Sequence, residues 1–153
     1  MKIGELAKII GTPVETIRYY EREKLLTAPA RSDGNYRVYS ATHAQRLAFI
    51  RHCRSLDMAL EEIRTLLRFR DAPEENCAGV NTLLDEHIGH VAERIGQFQA
   101  LEKQLKKLRA QCRKTEAAAH CGILGELAKK PALRHARAAH GTTHLAGTHQ
   151  RAK

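Results

Sequence analysis

A mainly α fold is predicted by three features of the 153-residue sequence. Two short apolar-periodic segments follow one another across a glycine near the start, and an Asp-Gly pair then interrupts the helical pattern. One long apolar stripe occupies the second half of the chain. Together they predict a head of packed short helices with a hairpin, followed by an extended helix.

The first element is "IGELAKII", where Ile3, Leu6, Ala7 and Ile10 recur at helical spacing until Gly11 stops them. The second carries explicit start signals: Thr12 as N-cap, Pro13 at the first helical position and Glu15 three residues after the cap. A helix, a short turn and a second helix make a helix-turn-helix. In "ARSDGNYRVYS", Asp33 and Gly34 predict a two-residue hairpin loop with positive φ at both central residues. That hairpin reads as a wing, with Arg31, Asn35, Tyr36, Arg37 and Tyr39 set either against a phosphate backbone or, for the tyrosines, against the helices. Ser40 then caps a helix containing Leu47, Ala48, Ile50 and Arg51, and Leu60, Ile63, Leu66 and Leu67 share one face of the next, which Pro73 closes.

From about Cys77 to Cys112 a single helix is predicted, with apolar residues at Leu84, Ile88, Val91, Ile95, Phe98, Leu101, Leu105, Leu108 and Cys112. The steps are 4, 3, 4, 3, 3, 4, 3, 4, a coiled-coil rhythm with one stammer. No second helix of similar length exists in the chain, so the stripe calls for a second copy of the protein. The expected fold is a winged helix-turn-helix head followed by a long antiparallel coiled-coil dimerisation helix. The domains are 1-70 for the head, 71-112 for linker and dimerisation helix, 113-128 for a loop with a short helix, and 129-153 for a basic, histidine-containing flexible tail.

Charge is compatible with a nucleic-acid partner without demanding one. Of the 26 Lys and Arg, six fall in the acid-free segment 129–153, so residues 1–128 hold 20 bases against all 17 acids. A footprint must therefore come from clustering. No apolar run approaches the roughly 18 residues a membrane span needs, and no cleavable leader is recognisable, so a cytoplasmic, membrane-free protein is expected. No nucleophile-base constellation, phosphate loop or carboxylate pair points to an enzyme.

The four cysteines are irregularly spaced, which favours fillers or metal ligands over a disulfide framework. Cys53, within a head helix, reads as core filler. Cys77 and Cys112 lie at opposite ends of one helix, about 52 Å apart at 1.5 Å per residue, too far to share an ion within one chain. If two copies pair antiparallel, Cys77 of one arrives beside Cys112 of the other, and Cys121 returns on a short loop. Two such sites per dimer result. Thiolates select soft cations, and Cys77 at a helix start sits where the dipole favours the anion. Three sulfurs suit Pb(II), Cd(II) or Hg(II) better than structural zinc, which normally takes four ligands. His87 and His90, three apart on the helix, together with His140, His144 and His149, make a possible second site for cadmium or zinc, or else a polar helix face and a plain tail. His120 is either an extra ligand or a loop histidine.

The stretches "IGELAK", "ETIRYYEREKLL", "RSDGNYRVY", "FIRHCRSLDM" and "DEHI", with the positions of Cys77, Cys112 and Cys121, resemble the MerR family of bacterial metal-responsive regulators, in particular its cadmium- and lead-sensing branch. The likeness spans roughly residues 1 to 125. It implies a homodimeric activator on double-stranded promoter DNA, whose metal binding resets the angle between the heads. Over-long spacer DNA is then bent and untwisted until RNA polymerase engages both hexamers. Carried over by residue, it implies DNA contacts by Arg18, Tyr19, Tyr20, Arg31, Asn35, Tyr36, Arg37 and Arg54. Glu15 lies near the base-reading end of the recognition helix. There are departures: Ala59 stands where relatives often have a capping hydroxyl or proline, and "GTPVET" lacks the extra cysteine of some lead sensors. The cysteine spacing resembles lead-type sensors and the tail cadmium-type ones. A mercury- or zinc-responsive member, or a constitutive architectural dimer with inert cysteines, are the other readings.

Overall fold

The computed structural model describes residues 1–129 and 131. His140, His144 and His149, and nearly all of the tail expected at 129-153, lie outside the described residues. Two compact units, Met1–Asn81 and Thr82–Lys153, divide the chain inside its longest helix.

The first unit begins with α1, Ile3–Ile10, which Gly11 ends in the left-handed region at φ 67°. Arg51, from a later helix, donates to the Ile10 carbonyl at this turn, satisfying one of the carbonyls a helix end leaves open. Helix α2 spans Val14–Arg22. Its N-cap is Pro13 and not the expected Thr12, and it has no side-chain cap. The reason is local: the Thr12 N–H donates to the Ala7 carbonyl at 3.0 Å, so Thr12 finishes α1 before α2 starts. Glu15, freed from capping, pairs with Arg18 at 3.3 Å.

Strands β1, Ala30–Arg31, and β2, Arg37–Val38, form an antiparallel hairpin in the register Ala30↔Val38 and Arg31↔Arg37. The expected two-residue Asp-Gly loop is a longer one. Asn35 donates to Ser32 O at 2.8 Å and Ser32 to Tyr36 O at 2.9 Å, closing a turn over Asp33 and Gly34. Asn35, and not Asp33 or Gly34, takes the positive φ, at 62°. This is the three-residue hairpin in which a turn is followed by one left-handed residue, a position that Asn tolerates. Met1 and Tyr39 exchange both backbone bonds, at 2.8 and 2.9 Å, which holds the strand leaving the wing.

Helix α3, Ala41–Ser55, starts at Ser40 as expected. The Ser40 N–H donates to His43 Nδ1 at 3.1 Å, so that nitrogen is the acceptor and Nε2, 3.2 Å from Thr27 Oγ1, carries the proton. Helix α4, Leu60–Arg70, begins at Ala59, whose N–H donates to Glu62 Oε2 at 2.7 Å. Half of a capping box is therefore present. Ala59→Ser adds the missing half and is expected to stabilise the head by about 0.5 to 2 kcal/mol, read as a higher thermal midpoint in far-UV circular dichroism.

Leu6, Ile17, Leu25, Tyr39, Leu47, Ile50, Ile63 and Leu67 form the core of this unit. Each aliphatic member contributes about 1.5–3 kcal/mol by burial. Cys53 is buried too, as its reading as filler requires, and burial raises its thiol pKa.

The second unit contains most of α5, Ala78–Arg109, one unbroken helix of 32 residues. Leu83 and His87, four apart, are buried, whereas Ile88, Val91, Ile95, Phe98, Leu101 and Leu105 are 38 to 62% exposed. After α5 the chain makes a 3-10 turn at Ala118–His120 and the short α6, Gly122–Leu127. Among the described residues no helix is long and apolar enough to cross a membrane.

Candidate nucleic-acid interface and metal centre

The exposed side chains of α2 are set by helical spacing. Ile17 and Tyr20 are buried three residues apart, which turns Arg18 and Tyr19 outward. Tyr20, expected to meet DNA, gives its ring to the core instead, and burial raises its hydroxyl pKa. Its pairing with Ile17 at i, i+3 was the available signal. Arg22 lies over the Tyr19 ring, 5.9 Å from the centroid, leaving a cation and an aromatic face on one exposed ridge.

In the wing, Arg31 donates to Asn35 Oδ1 at 2.7 Å, so Asn35 shapes the turn and orients Arg31 together. Tyr36 is 70% exposed while Tyr39 is 1% exposed, so the two tyrosines divide between surface and core. Arg37 is half exposed and 3.8 Å from Glu21. Arg54, expected on a phosphate, donates to the Met58 carbonyl at 2.7 Å and thereby closes the turn between α3 and α4.

Three further arginines hold the head together, and sequence reasoning passed over this role. Arg46 donates from Nε to Leu25 O at 2.6 Å and from Nη1 to both oxygens of Asp71, at 2.9 and 2.8 Å. Arg64 donates to Glu23 O at 2.7 Å. With Arg51 on Ile10, they bind main-chain carbonyls where α1 and α2 end. No local pattern announces such bonds, because each partner is 21 or 41 residues away.

The cysteines behave differently from one another. Cys77 is exposed and takes the N-cap position of α5, its carbonyl accepting from Asn81 N–H at 3.0 Å. The neighbouring Ala78 N–H is already bonded to Asn76 Oδ1 at 3.1 Å. Cys112 and Cys121 are half-buried, and their thiols lie near enough to shift each other's titration. The loop that brings them together needs a residue without a side chain. A Cβ on Gly122 would lie 2.5 Å from the Gln111 carbonyl oxygen, so Gly122 lets the chain close directly over the residue preceding Cys112.

Electrostatics separates the two thiols. The Leu124 amide, followed by that of Ile123, faces the Cys121 sulfur and lowers its pKa, and the neighbouring Cys112 thiol acts in the same direction. Cys112 shifts upward, first through desolvation and then through the neighbouring Cys121 thiol. The Cys112 thiol donates to the Lys114 carbonyl at 3.3 Å. Both sulfurs line a cleft of about 380 Å³ with Arg109, Thr115 and Leu124. His120 lines an adjoining cleft with Cys112. Of the expected histidine set, His87 is buried and His90 exposed on α5.

Residues 1–69 match the family described as MerR HTH family regulatory protein, and residues 44–108 the one described as MerR, DNA binding. A ZntR homolog of Haemophilus influenzae, an HTH-type transcriptional regulator, is 48% identical over 71% of this chain and 81% of its own. The regulator ZntR of Escherichia coli K12 is 38% identical over 82% of this chain and 91% of its own. Among solved structures, the transcription regulator PbrR691 from Ralstonia metallidurans CH34 in complex with lead(II) aligns at TM-score 0.74. It is 50% identical over 84% of this chain and 99% of its own. A mercury-bound dual-function MerR from Bacillus megaterium MB1 aligns at TM-score 0.63 and 30% identity, covering 84% of this chain and all of its own.

Proposed function

The chain belongs to the MerR family of helix-turn-helix transcription regulators, and from that premise we propose that it is an activator switched by a soft divalent metal, lead or cadmium. The ion is held by Cys112 and Cys121 of one protomer and Cys77 of the other. The observation that carries this reading is that the half-buried Cys112 and Cys121 line one cleft, in a loop whose closure depends on Gly122. Two adjoining thiols bind a soft cation more readily than a hard one, and the lead complex of a 50% identical regulator supports the same ligand class. A zinc-responsive reading has its own support, since His120 beside the cleft offers a fourth ligand for a tetrahedral site. Competition among Pb(II), Cd(II), Hg(II) and Zn(II), read by transcription from the cognate promoter, separates the two.

The third ligand comes from an antiparallel dimer along the exposed face of α5. The register that sets Cys77 against Cys112 also sets Leu84 against Leu105, Ile88 against Leu101 and Val91 against Phe98. It sets Ile95 against Arg94 and Leu108 against Asn81, so one alignment serves the metal and six of the eight apolar positions of the stripe. The heads, through Arg18, Tyr19, Arg31, Tyr36 and Arg37, grip the two halves of a promoter palindrome, and Arg54 and Tyr20 support that surface from within. Metal binding at the dimer ends changes the angle between the heads. Distorting the spacer costs several kcal/mol, which phosphate contacts offset, and RNA polymerase then engages both hexamers. This work takes place in the bacterial cytoplasm.

A mixed dimer tests the arrangement. Cys77→Ser and Cys112→Ser chains combined in one heterodimer lose both ligands at the same end, so the other end keeps all three cysteines. One metal per heterodimer is expected by titration, against none in either mutant homodimer. A heterodimer without a site contradicts the shared coordination.

A further inference from the structure

The wing is too small to hold its own orientation. Its strands are two residues each, and an isolated hairpin is marginal at best. Two backbone bonds to Met1 hold the strand that leaves it, and a side chain of the recognition helix α2 reaches it as well. Glu21, with 14% of its side chain exposed, accepts a hydrogen bond from Tyr39 Oη at 2.5 Å and lies 3.8 Å from Arg37 Nε of β2. Tyr39 is anchored in turn by its burial and by edge-on contact with His43 of α3, ring centroids 5.6 Å apart. The same carboxylate lines a cleft of about 310 Å³ with Lys24, Arg31 and Arg37.

An acid among three cations works against phosphate binding, because it lowers the local positive potential. Its benefit must therefore be geometric. We propose that Glu21 is a positioning residue for DNA recognition, tying the wing to α2 through Tyr39 and Arg37 so that Arg18 and the wing cations meet the phosphate backbone at once. Phosphate contacts fix the register of a protein on the duplex, so a wing that swings independently loses register before it loses charge. The raised pKa of Tyr39, caused by burial and then by its bond to Glu21, keeps the hydroxyl a donor. The inference rests on the DNA-interface reading above and adds a residue to it.

The test separates geometry from charge. Tyr39→Phe removes the donor without changing charge, Glu21→Gln removes charge while leaving an acceptor, and Glu21→Ala removes both. Operator affinity and hydroxyl-radical footprints are measured on the full-length protein, well below each variant's thermal midpoint. Tyr39→Phe and Glu21→Ala are expected to bind about tenfold more weakly and to lose protection at the wing phosphates while keeping it beneath α2. Glu21→Gln is expected to retain wing protection. Unchanged wing protection in Tyr39→Phe and Glu21→Ala overturns the proposal, as does uniform loss along the operator or a Glu21→Gln footprint identical to that of Glu21→Ala. Arg18→Ala tells the two readings apart: if it too leaves affinity unchanged the interface itself is wrong, whereas weak binding by Arg18→Ala beside a silent Tyr39→Phe condemns only the role of Glu21.

Discussion

Phe98→Glu is expected to turn the dimer into a monomer. In the proposed register, which apposes Cys77 and Cys112, Phe98 meets Val91 of the partner, and each such dimer contains that contact twice. Truncating a buried phenylalanine costs about 3–5 kcal/mol, and an unpaired carboxylate in its place adds a desolvation penalty of the same order. Two copies per dimer bring the loss to about 6 kcal/mol at the least, more than four decades in dissociation constant. Sedimentation equilibrium at micromolar protein should report a single chain near 17.2 kDa. Ala100→Glu, on the opposite side of α5, is the control and should remain dimeric. Because Phe98 is 45% exposed in the single chain, the substitution leaves the head's core untouched, and its thermal transition should persist. A Phe98→Glu protein that stays dimeric removes the antiparallel seam from the account.

Cys121→Ser should abolish metal-induced transcription while leaving operator affinity within about twofold. A hydroxyl is a hard, protonated donor at neutral pH and cannot replace a thiolate toward a soft cation. Even supporting residues around a metal site cost 10–100-fold in affinity, so removal of a ligand should cost more than about 100-fold. Ultraviolet sulfur-to-metal charge-transfer absorption gives the direct measure, and run-off transcription with and without metal gives the functional one. Gly122→Ala is the companion, since it keeps every sulfur and disturbs only their spacing through the clash at the Gln111 carbonyl. It should weaken metal binding without abolishing it. Full induction in Cys121→Ser would return the constitutive architectural dimer as the better reading.

The differences between expectation and structure have particular causes. Gly11, Ser40 and the α5 stripe were legible because each is a local rule acting within a few residues. Thr12 departs from its expected cap because two neighbouring helices compete for it, and the end of α1 wins through the Ala7 carbonyl. The hairpin loop is longer than expected because Asp-Gly is compatible with several turns, and the register of Arg31 with Arg37 decides which one fits. Tyr19, Tyr20, Tyr36 and Tyr39 look alike in sequence, and only packing sends Tyr20 and Tyr39 inward.

The sequence by itself determined a helical head, a wing, one long helix with an exposed apolar row, and three cysteines placed outside the head. The elements among these follow from periodicity and capping chemistry, which are written in residues close together in the chain. Tertiary structure alone decided that Arg46, Arg51 and Arg64 bind the main-chain carbonyls at the ends of α1 and α2, that Glu21 links α2 to the wing, and that Cys112 meets Cys121 over a glycine. A long flexible side chain can reach many carbonyls, and which one it meets depends on how separately folded segments pack.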